Sequence, residues 1–417
     1  MKVLYFHEYF STHEGSSGSR SYENAKALIA KGHEVTMVCG TTGRSDTGLS
    51  GDFQNGKRTG NVDGIEVVEW HLPYSNYDGF VKRSITFLRY AMRGLGLALT
   101  RKYDLLFATS TPLTAGVPGI AASLLRRKPF VFEVRDLWPE LPREMGIVSN
   151  PLILKALDIL EWLSYHTATR CIGLSPGIVE GIIRRGIDPQ KVALIPNGSD
   201  LDLFTPDGNS YRPKILQGKD FVAIFSGAHG MANGLDALLD TAAELMRRQR
   251  DDIHLLFVGE GKMKPALQQR AAAENLKNCL FLDSIPRKKL AALQRSVNVG
   301  LMILANIPAF YYGTSPNKFF DYISSGLPVL NNYPGWLANL IQEHNCGLAV
   351  PPSDPKVFAD ALEYMADHPG ELETMGKNAR RLAEMEFGRR KLADEFVNWL
   401  EGVHDKTTVF QKGSSLR

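Results

Sequence analysis

Residues 314–330, TSPNKFFDYISSGLPVL, carry the reading of this chain. A polar loop with a proline leads into a short helical pattern. Gly326-Leu327-Pro328 ends the helix, and Val329-Leu330 opens an apolar strand. Lys318 and Asp321 lie three apart, so a helix sets both on one face near its N-terminus. Free N–H groups and the positive dipole end favour an anion there, and the lysine adds a full charge. Phosphate suits that position, and the carboxylate one turn on suits the hydroxyls of a ribose.

The same alternation runs through the rest of the chain. Lys2–Phe6 reads as a buried strand, Ser11–Arg20 as a Gly/Ser loop, Tyr22–Lys31 as a helix capped by Gly32, and Glu34–Cys39 as a second strand. This βαβ unit opens a parallel sheet. Further apolar runs at Ile65–Val68, Leu105–Ala108, Phe130–Val134, Cys171–Leu174 and Val192–Ile195 complete a doubly wound domain of about six strands. The turn-rich segment Ile195–Gly208 reads as a linker. The alternation restarts with Phe221–Phe225, His254–Val258, Cys279–Leu282, Val299–Ile303, Val329–Leu330 and Leu348–Val350. Two α/β Rossmann-like domains, 1–200 and 201–383, are therefore expected to face each other across a cleft. A helical segment and polar tail follow over 384–417.

Composition supports this plan. A chain of 417 residues exceeds one ordinary core. Apolar and charged fractions of 44% and 22% are those of a soluble globular protein. A formal net charge of +3 argues against nucleic acid as partner. Cys39, Cys171, Cys279 and Cys346 lack CxxC spacing and read as reduced thiols of a cytoplasmic protein. The start MKVLYFHEYF passes straight into polar residues, so no signal peptide is expected. No run approaches the roughly 20 apolar residues of a membrane span. No HExxH, DxD, EF-hand, GxSxG or Walker A pattern occurs, so neither metal nor cofactor is expected.

Ligands of open α/β sheets bind where strands end, so the post-strand loops come first. In the first domain Gly15, Gly18 and Arg20 suit an anion near the backbone, although the loop is not GxGxxG. In the second, Gly227, Gly230 and Gly234 precede a helix, with His229 and Asn233 beside them. Gly259-Glu260-Gly261-Lys262-Met263-Lys264 is another strand-to-helix turn, and its lysines Lys262 and Lys264 suit a diphosphate. Residues 133–140, EVRDLWPE, gather charges around a tryptophan after a buried strand, and such charges are costly unless paired or used. Asp136 is the candidate for a base or acceptor contact there, with Arg135 and Glu140 beside it. Residues 79–103 hold six basic and no acidic residues among aromatic and aliphatic ones, a surface suited to anionic lipid headgroups.

The order of these motifs resembles glycosyltransferase family 4, the retaining GT-B enzymes, and within it the WbuB-like branch of bacterial O-antigen and capsule synthesis. The resemblance rests on GSSGSR, KGHEVTMV, TSTPLTAGVPG, KPFVFEVRDLWPE, LIPNGSDLDLF, SGAHGMANGLDALL, VGEGKMK and SPNKFFDYISSGLPVL, and it covers nearly the whole chain. It implies a second domain that binds a nucleotide-sugar donor, a UDP-linked N-acetylhexosamine being the expectation. The first domain would take a lipid-linked glycan acceptor, and the terminal helix would cross back to that domain. Lys318 would face the diphosphate and Asp321 the ribose, with Ser315, Pro316 and Asn317 beside them. Main chain around Ile285 would contact the base. Two departures stand out. The paired glutamates of the family are here Gly313 and Asp321, and its Gly-Arg and Lys-Gly pairs are here Gly227-Ala228 and Asn233-Gly234.

The resemblance implies a glycosyltransferase peripheral to the inner face of the cytoplasmic membrane. A sugar-nucleotide epimerase or hydrolase of the same architecture, and a non-catalytic partner subunit, are the alternatives. A nicotinamide dehydrogenase is disfavoured because neither half carries GxGxxG with a following acidic residue.

Overall fold

The structure is a computed structural model that describes residues 1–15, 18–42, 46–74 and 78–414, with the side chains of Phe80 and of residues 404–414 left aside. It divides into two compact units. Unit 1 comprises Met1–Pro196, Gly313–Ser315 and Arg390–Arg417; unit 2 comprises Asn197–Tyr312 and Pro316–Arg389.

Unit 1 is built on an eight-stranded sheet of order β3-β4-β2-β1-β5-β6-β7-β8. Its strands are β1 (Lys2–Phe6), β2 (Glu34–Thr42), β3 (Lys57–Val62), β4 (Ile65–Tyr74), β5 (Leu105–Thr109), β6 (Phe130–Val134), β7 (Arg170–Gly173) and β8 (Val192–Leu194). All pair in parallel except β3, which runs antiparallel to β4. Strand β3 was not expected, because KRTGNV has no apolar run. A hairpin turn makes it: Asp63 and Gly64 both adopt positive φ, 52° and 89°, as a tight Asp-Gly turn requires. The strand lies at the edge and buries only alternate residues in part.

The helices of this unit are α1 (Arg20–Ala30), α2 (Phe80–Thr100), α3 (Gly116–Arg126), α4 (Glu140–Glu144), α5 (Pro151–Thr167) and α6 (Pro176–Arg184). Helix α2 packs on α3, and α3 on α5. Strands β5 and β6 are buried throughout, as apolar strands covered on both faces must be.

Unit 2 carries a six-stranded parallel sheet of order β11-β10-β9-β12-β13-β14. Its strands are β9 (Phe221–Ser226), β10 (Ile253–Val258), β11 (Cys279–Leu282), β12 (Val299–Met302), β13 (Val329–Asn331) and β14 (Gly347–Ala349). Its helices are α7 (Asp236–Arg247), α8 (Lys264–Ala273), α9 (Arg287–Gln294), α10 (Pro308–Tyr312), α11 (Asn317–Ser324), α12 (Trp336–Glu343), α13 (Pro355–Asp367) and α14 (Pro369–Leu382). Helix α11 is the one read from residues 314–330. Gly326 follows it at φ 70°, the left-handed residue that closes a helix at low steric cost. The strand order is doubly wound in both units.

The segment expected as a linker is not a loose one. Ile195 to Ser199 are buried, and their backbone groups are used. The carbonyls of Ile195 and Pro196 accept from Arg20, and the Ser199 N–H donates to the Phe387 carbonyl. Polar main chain that leaves water needs such partners, and turn-rich composition does not reveal them.

After a wide π turn at Ala383–Phe387, helix α15 (Arg389–Ser414) packs on the sheet of unit 1. The Phe396 ring meets Phe107 edge-on at 4.9 Å and lies 6.2 Å from Tyr5. Arg170 sits 4.3 Å over the Trp399 ring and donates to its carbonyl. Phe396 is wholly buried, so Phe396→Ala should destabilise the protein by about 3–5 kcal/mol, read as a lowered thermal or denaturant midpoint. An unchanged midpoint would mean that this helix contributes little.

Candidate functional site

The loops after β9 and β10 approach each other as closely as backbone allows. Gly227 and Gly259 sit at φ 152° and 142°, and a Cβ on Gly259 would fall 1.9 Å from the Gly227 carbonyl oxygen. Only glycine fits. The Gly227 N–H donates to the Val258 carbonyl, and the His229 N–H to that of Glu260. His229 is wholly buried between the rings of Phe225 and Phe257, at 5.9 and 6.3 Å, so its ring packs beneath the loop. Gly230 precedes the short turn Met231–Asn233. Gly234 follows it at φ 55°, its Cα side pressed against Ala305.

Lys318 reaches this floor from the second position of α11. Its amine lies 4.3 Å over the Phe225 ring and donates at 2.7 Å to Asn233 Oδ1. The Asn233 amide is oriented by its own Nδ2, which donates to the Ala228 carbonyl. A Cβ on Gly227 would stand 3.3 Å from Lys318 Cε, so a side chain there would press on the lysine. No carboxylate pairs with Lys318 among the described residues. The residue as a whole is half-buried, but burial of the amine pulls its pKa down to about 7. Pro316 caps the helix, Ser315 is buried just before it, and Asn317 Oδ1 is buried without a hydrogen-bond partner.

Asp321 is buried one turn below. Its Oδ1 accepts from Arg287 at 3.1 Å and from the Ser199 hydroxyl at 3.2 Å. Oδ2 has no protein partner among the described residues. Arg287 itself lies 4.8 Å over the Phe204 ring. Arg287 and Ser199 therefore set the direction of this carboxylate, and neither stood out in the sequence. Ser199 lies in the supposed linker, and Arg287 is the first of three consecutive basic residues.

The two other lysines have different surroundings. Lys264 is buried and bonded to Glu260 at 2.9 Å and Asp283 at 2.6 Å, whereas Lys262 is exposed. Ile285 lies half-buried in the loop after β11.

In unit 1 the expected residues fall into two groups. Gly15 is buried and Gly18 half-buried; Ser16 and Ser17 of the same loop lie outside the described residues. Arg20 is buried against Glu133, donating to it at 2.8 and 3.0 Å, and it also donates to the carbonyls of Ile195 and Pro196. Arg135 lies beside the same Glu133 at 3.3 Å and donates to the Thr109 hydroxyl. Burial alone would raise the Glu133 carboxyl, but Arg20 and Arg135 hold it below its ordinary value. Asp136 accepts from the Thr111 hydroxyl at 3.2 Å, and burial pushes its carboxyl upward against that bond and Arg135. Thr111 holds φ 83°, a strained value for a β-branched residue. Glu140 lies 3.9 Å from Arg184. Among the described residues no three His, Cys, Asp or Glu side chains are grouped to hold a metal.

Comparison with known proteins gives this geometry a family. Residues 15–198 match "Glycosyl transferase 4-like domain", and residues 209–382 match "Glycosyl transferases group 1". Together these two matches span most of the chain, which belongs to glycosyltransferase family 4. It is 28% identical to D-rhamnosyltransferase WbpZ of Pseudomonas aeruginosa over 56% of this chain and 59% of that protein. To the MMP alpha-(1->4)-mannosyltransferase of Mycolicibacterium hassiacum it is 27% identical, over 51% and 48%. The chain thus spans about half the length of the curated relatives it matches. Among solved structures, sucrose-phosphate synthase of Thermosynechococcus elongatus superposes with a TM-score of 0.73 at 18% identity, covering 97% of this chain and 99% of that one. The lipopolysaccharide glycosyltransferase WaaG gives 0.67 at 15%, covering 95% and 98%. Anabaena HepE in complex with UDP gives 0.66 at 16%, covering 96% and 100%. These likenesses show the fold.

The enclosure of Lys318 has a direct readout. In the ligand-free protein one lysine should titrate near pH 7, and NMR of 13C-methylated lysines should lose that signal in Lys318→Arg. A full set of lysines titrating in the ordinary range would contradict the enclosed amine.

Proposed function

We propose that this protein is a retaining glycosyltransferase that moves a sugar from a nucleoside-diphosphate donor to a lipid-linked glycan in bacterial surface-polysaccharide synthesis. The observation that carries the donor half is the Lys318 amine. It is a cation without a carboxylate partner, placed over a glycine floor beside a helix N-terminus, which is the setting a diphosphate requires. HepE, of the same fold, is described in complex with UDP and with UDP-glucose, which supports a uridine donor. A UDP-linked N-acetylhexosamine is the donor we favour.

In this reading Lys318 and the glycine N–H groups neutralise charge as the diphosphate leaves. Lys262 lies on the next loop as a further cation. Asp321 offers Oδ2 to the ribose while Arg287 and Ser199 hold Oδ1, and main chain near Ile285 meets the base. The departing diphosphate helps to take the acceptor proton, so positioning and electrostatic stabilisation supply most of the rate. On the acceptor side, Asp136 is the polar contact, positioned by Thr111.

Membrane attachment rests on the outward faces of α2, α3 and α5. Most of the large apolar side chains exposed among the described residues lie on these helices or in the loop before α5. Val81, Ile85, Leu88 and Met92 line α2, with Lys82, Arg89 and Arg93 between them. Leu152, Ile159 and Trp162 line α5. Helices α2 and α3 carry no acidic residue, and Asp158 and Glu161 of α5 are paired with Arg185. A cationic, apolar layer of this kind suits an anionic bilayer surface. No helix among the described residues is long and apolar enough to cross a membrane, so we place the protein peripherally on the cytoplasmic face.

Lys318→Ala should lower kcat/KM for transfer by roughly 30-fold or more, about 2 kcal/mol of transition-state stabilisation. Near-wild-type transfer would defeat the donor assignment. A pH dependence follows as well. A bound diphosphate favours the protonated amine, and the free protein loses that proton above about pH 7. UDP affinity should therefore fall as pH rises from 7 to 9, by up to about tenfold per unit. Lys318→Ala should flatten that slope, as calorimetry would show. For the membrane, Ile85→Glu with Leu88→Glu should weaken co-sedimentation with phosphatidylglycerol vesicles by roughly tenfold or more, since each side chain contributes about 1.5–3 kcal/mol when buried. UDP affinity should be unchanged.

A further inference from the structure

A further cluster of aromatic and charged residues lies in unit 1. Tyr9 follows the end of β1, Tyr74 ends β4, and Arg83 and Phe87 lie one turn apart on α2. The Tyr9 and Tyr74 rings are 5.1 Å apart, and Tyr74 stacks on Phe87 at 5.8 Å. The Arg83 guanidinium lies 5.5 Å over the Tyr74 ring. Its Nε is buried with no hydrogen-bond partner, and no carboxylate pairs with it among the described residues. Glu8, just before Tyr9, is 1% exposed with both carboxyl oxygens unpartnered. Burial pushes Glu8 up to about 8, so it is neutral at pH 7. Burial, then Glu8 and Tyr74, also raise the Tyr9 phenol, against the pull of Arg83, so these four residues act on one another.

The cluster therefore holds half-buried aromatic rings and an arginine with no carboxylate partner among the described residues. Sugar rings present apolar C–H faces that lie on aromatic rings, and a guanidinium held over a ring offers N–H groups to phosphate. Location narrows the ligand. The cluster sits at the C-terminal ends of β1 and β4, the edge where open sheets bind ligands. Arg83 also rides on α2 within one turn of the exposed apolar residues Val81 and Ile85.

We infer that Tyr9, Tyr74 and Arg83 form the subsite for the phosphate-linked end of the acceptor, with its sugar on the tyrosines and its phosphate on Arg83. The inference rests on the proposed lipid-linked acceptor and assigns it a place. A phosphate held there lies beside the helix that meets the headgroups, so the glycan enters from the bilayer side.

The test uses full-length protein saturated with UDP and phosphatidylcholine vesicles carrying a polyisoprenyl diphosphoryl-N-acetylglucosamine. Control vesicles carry phosphatidylglycerol at equal surface charge. Wild type should bind the diphosphoryl-sugar vesicles at least several-fold more tightly than the controls. Arg83→Gln and Tyr74→Ala should lose that preference, Arg83→Lys should keep only part of it, and all three should retain wild-type UDP affinity, which reports folding of unit 2. Thermal midpoints report folding of unit 1. Equal preference in wild type and folded Arg83→Gln, or no preference in wild type, would overturn the subsite. Absence of UDP binding in wild type would instead overturn the glycosyltransferase donor site and leave the vesicle comparison readable without nucleotide.

Discussion

A lysine amine enclosed with no carboxylate partner among the described residues is the constraint around which this part of unit 2 is arranged. Removing an ammonium from water is costly, and the usual remedy is a carboxylate. Here the amine has an aromatic face and one amide oxygen, and it meets the cost by giving up its proton more readily. That state is useful only if an anion arrives to restore the charge. The surroundings keep the place open. Gly227 has no side chain to fill it, the Gly227–Gly259 contact fixes the loop, and Asn233 is turned by Ala228 so that its oxygen faces the lysine. A glutamate near Lys318 would stabilise the empty protein and compete with a phosphate.

Unit 1 shows the opposite arrangement and explains why charge alone does not mark a site. Glu133 is surrounded by Arg20, Arg135 and Thr109, and Arg20 also closes the carbonyls of Ile195 and Pro196. These bonds join the start of α1 to β6 and to the segment Ile195–Pro196 after β8. Breaking such a buried pair is expensive because it strands the other charge. Arg83 differs from Arg20 in lying over a ring, with its Nε buried unpartnered and no carboxylate paired with it among the described residues.

Much of this was legible in the chain. The doubly wound order followed from apolar runs alternating with helical periods, and the α11 segment followed from its loop, helix and glycine-proline ending. Lys318 was legible because position on a helix follows from spacing. Partners across the fold were not. Ser199 and Arg287 reach Asp321 from positions 122 and 34 residues away, and Arg20 reaches Glu133 from 113 away. Strand β3 was hidden because an edge strand in a hairpin needs no apolar run, only a turn that both residues can adopt. Lys262 and Lys264 looked equivalent in sequence. Only the position of Asp283 at the end of β11 shows that one is paired and the other exposed.

The Asp321 carboxylate shows how the departures from the family pattern fit together. Aspartate is one methylene shorter than glutamate, so its reach is smaller and its direction matters more. Arg287 and Ser199 fix that direction by taking one oxygen, and the other oxygen is left for a hydroxyl. At Gly313, by contrast, there is no side chain to offer a sugar anything. In the donor mode we propose, Lys318 and Asp321 hold the diphosphate and the ribose, and Gly313 has no side chain to add for the sugar. Binding spent on the unchanging part of the donor gives affinity without discrimination. Selectivity for the transferred sugar has to come from differential contacts in the transition state, where the acceptor is also in place.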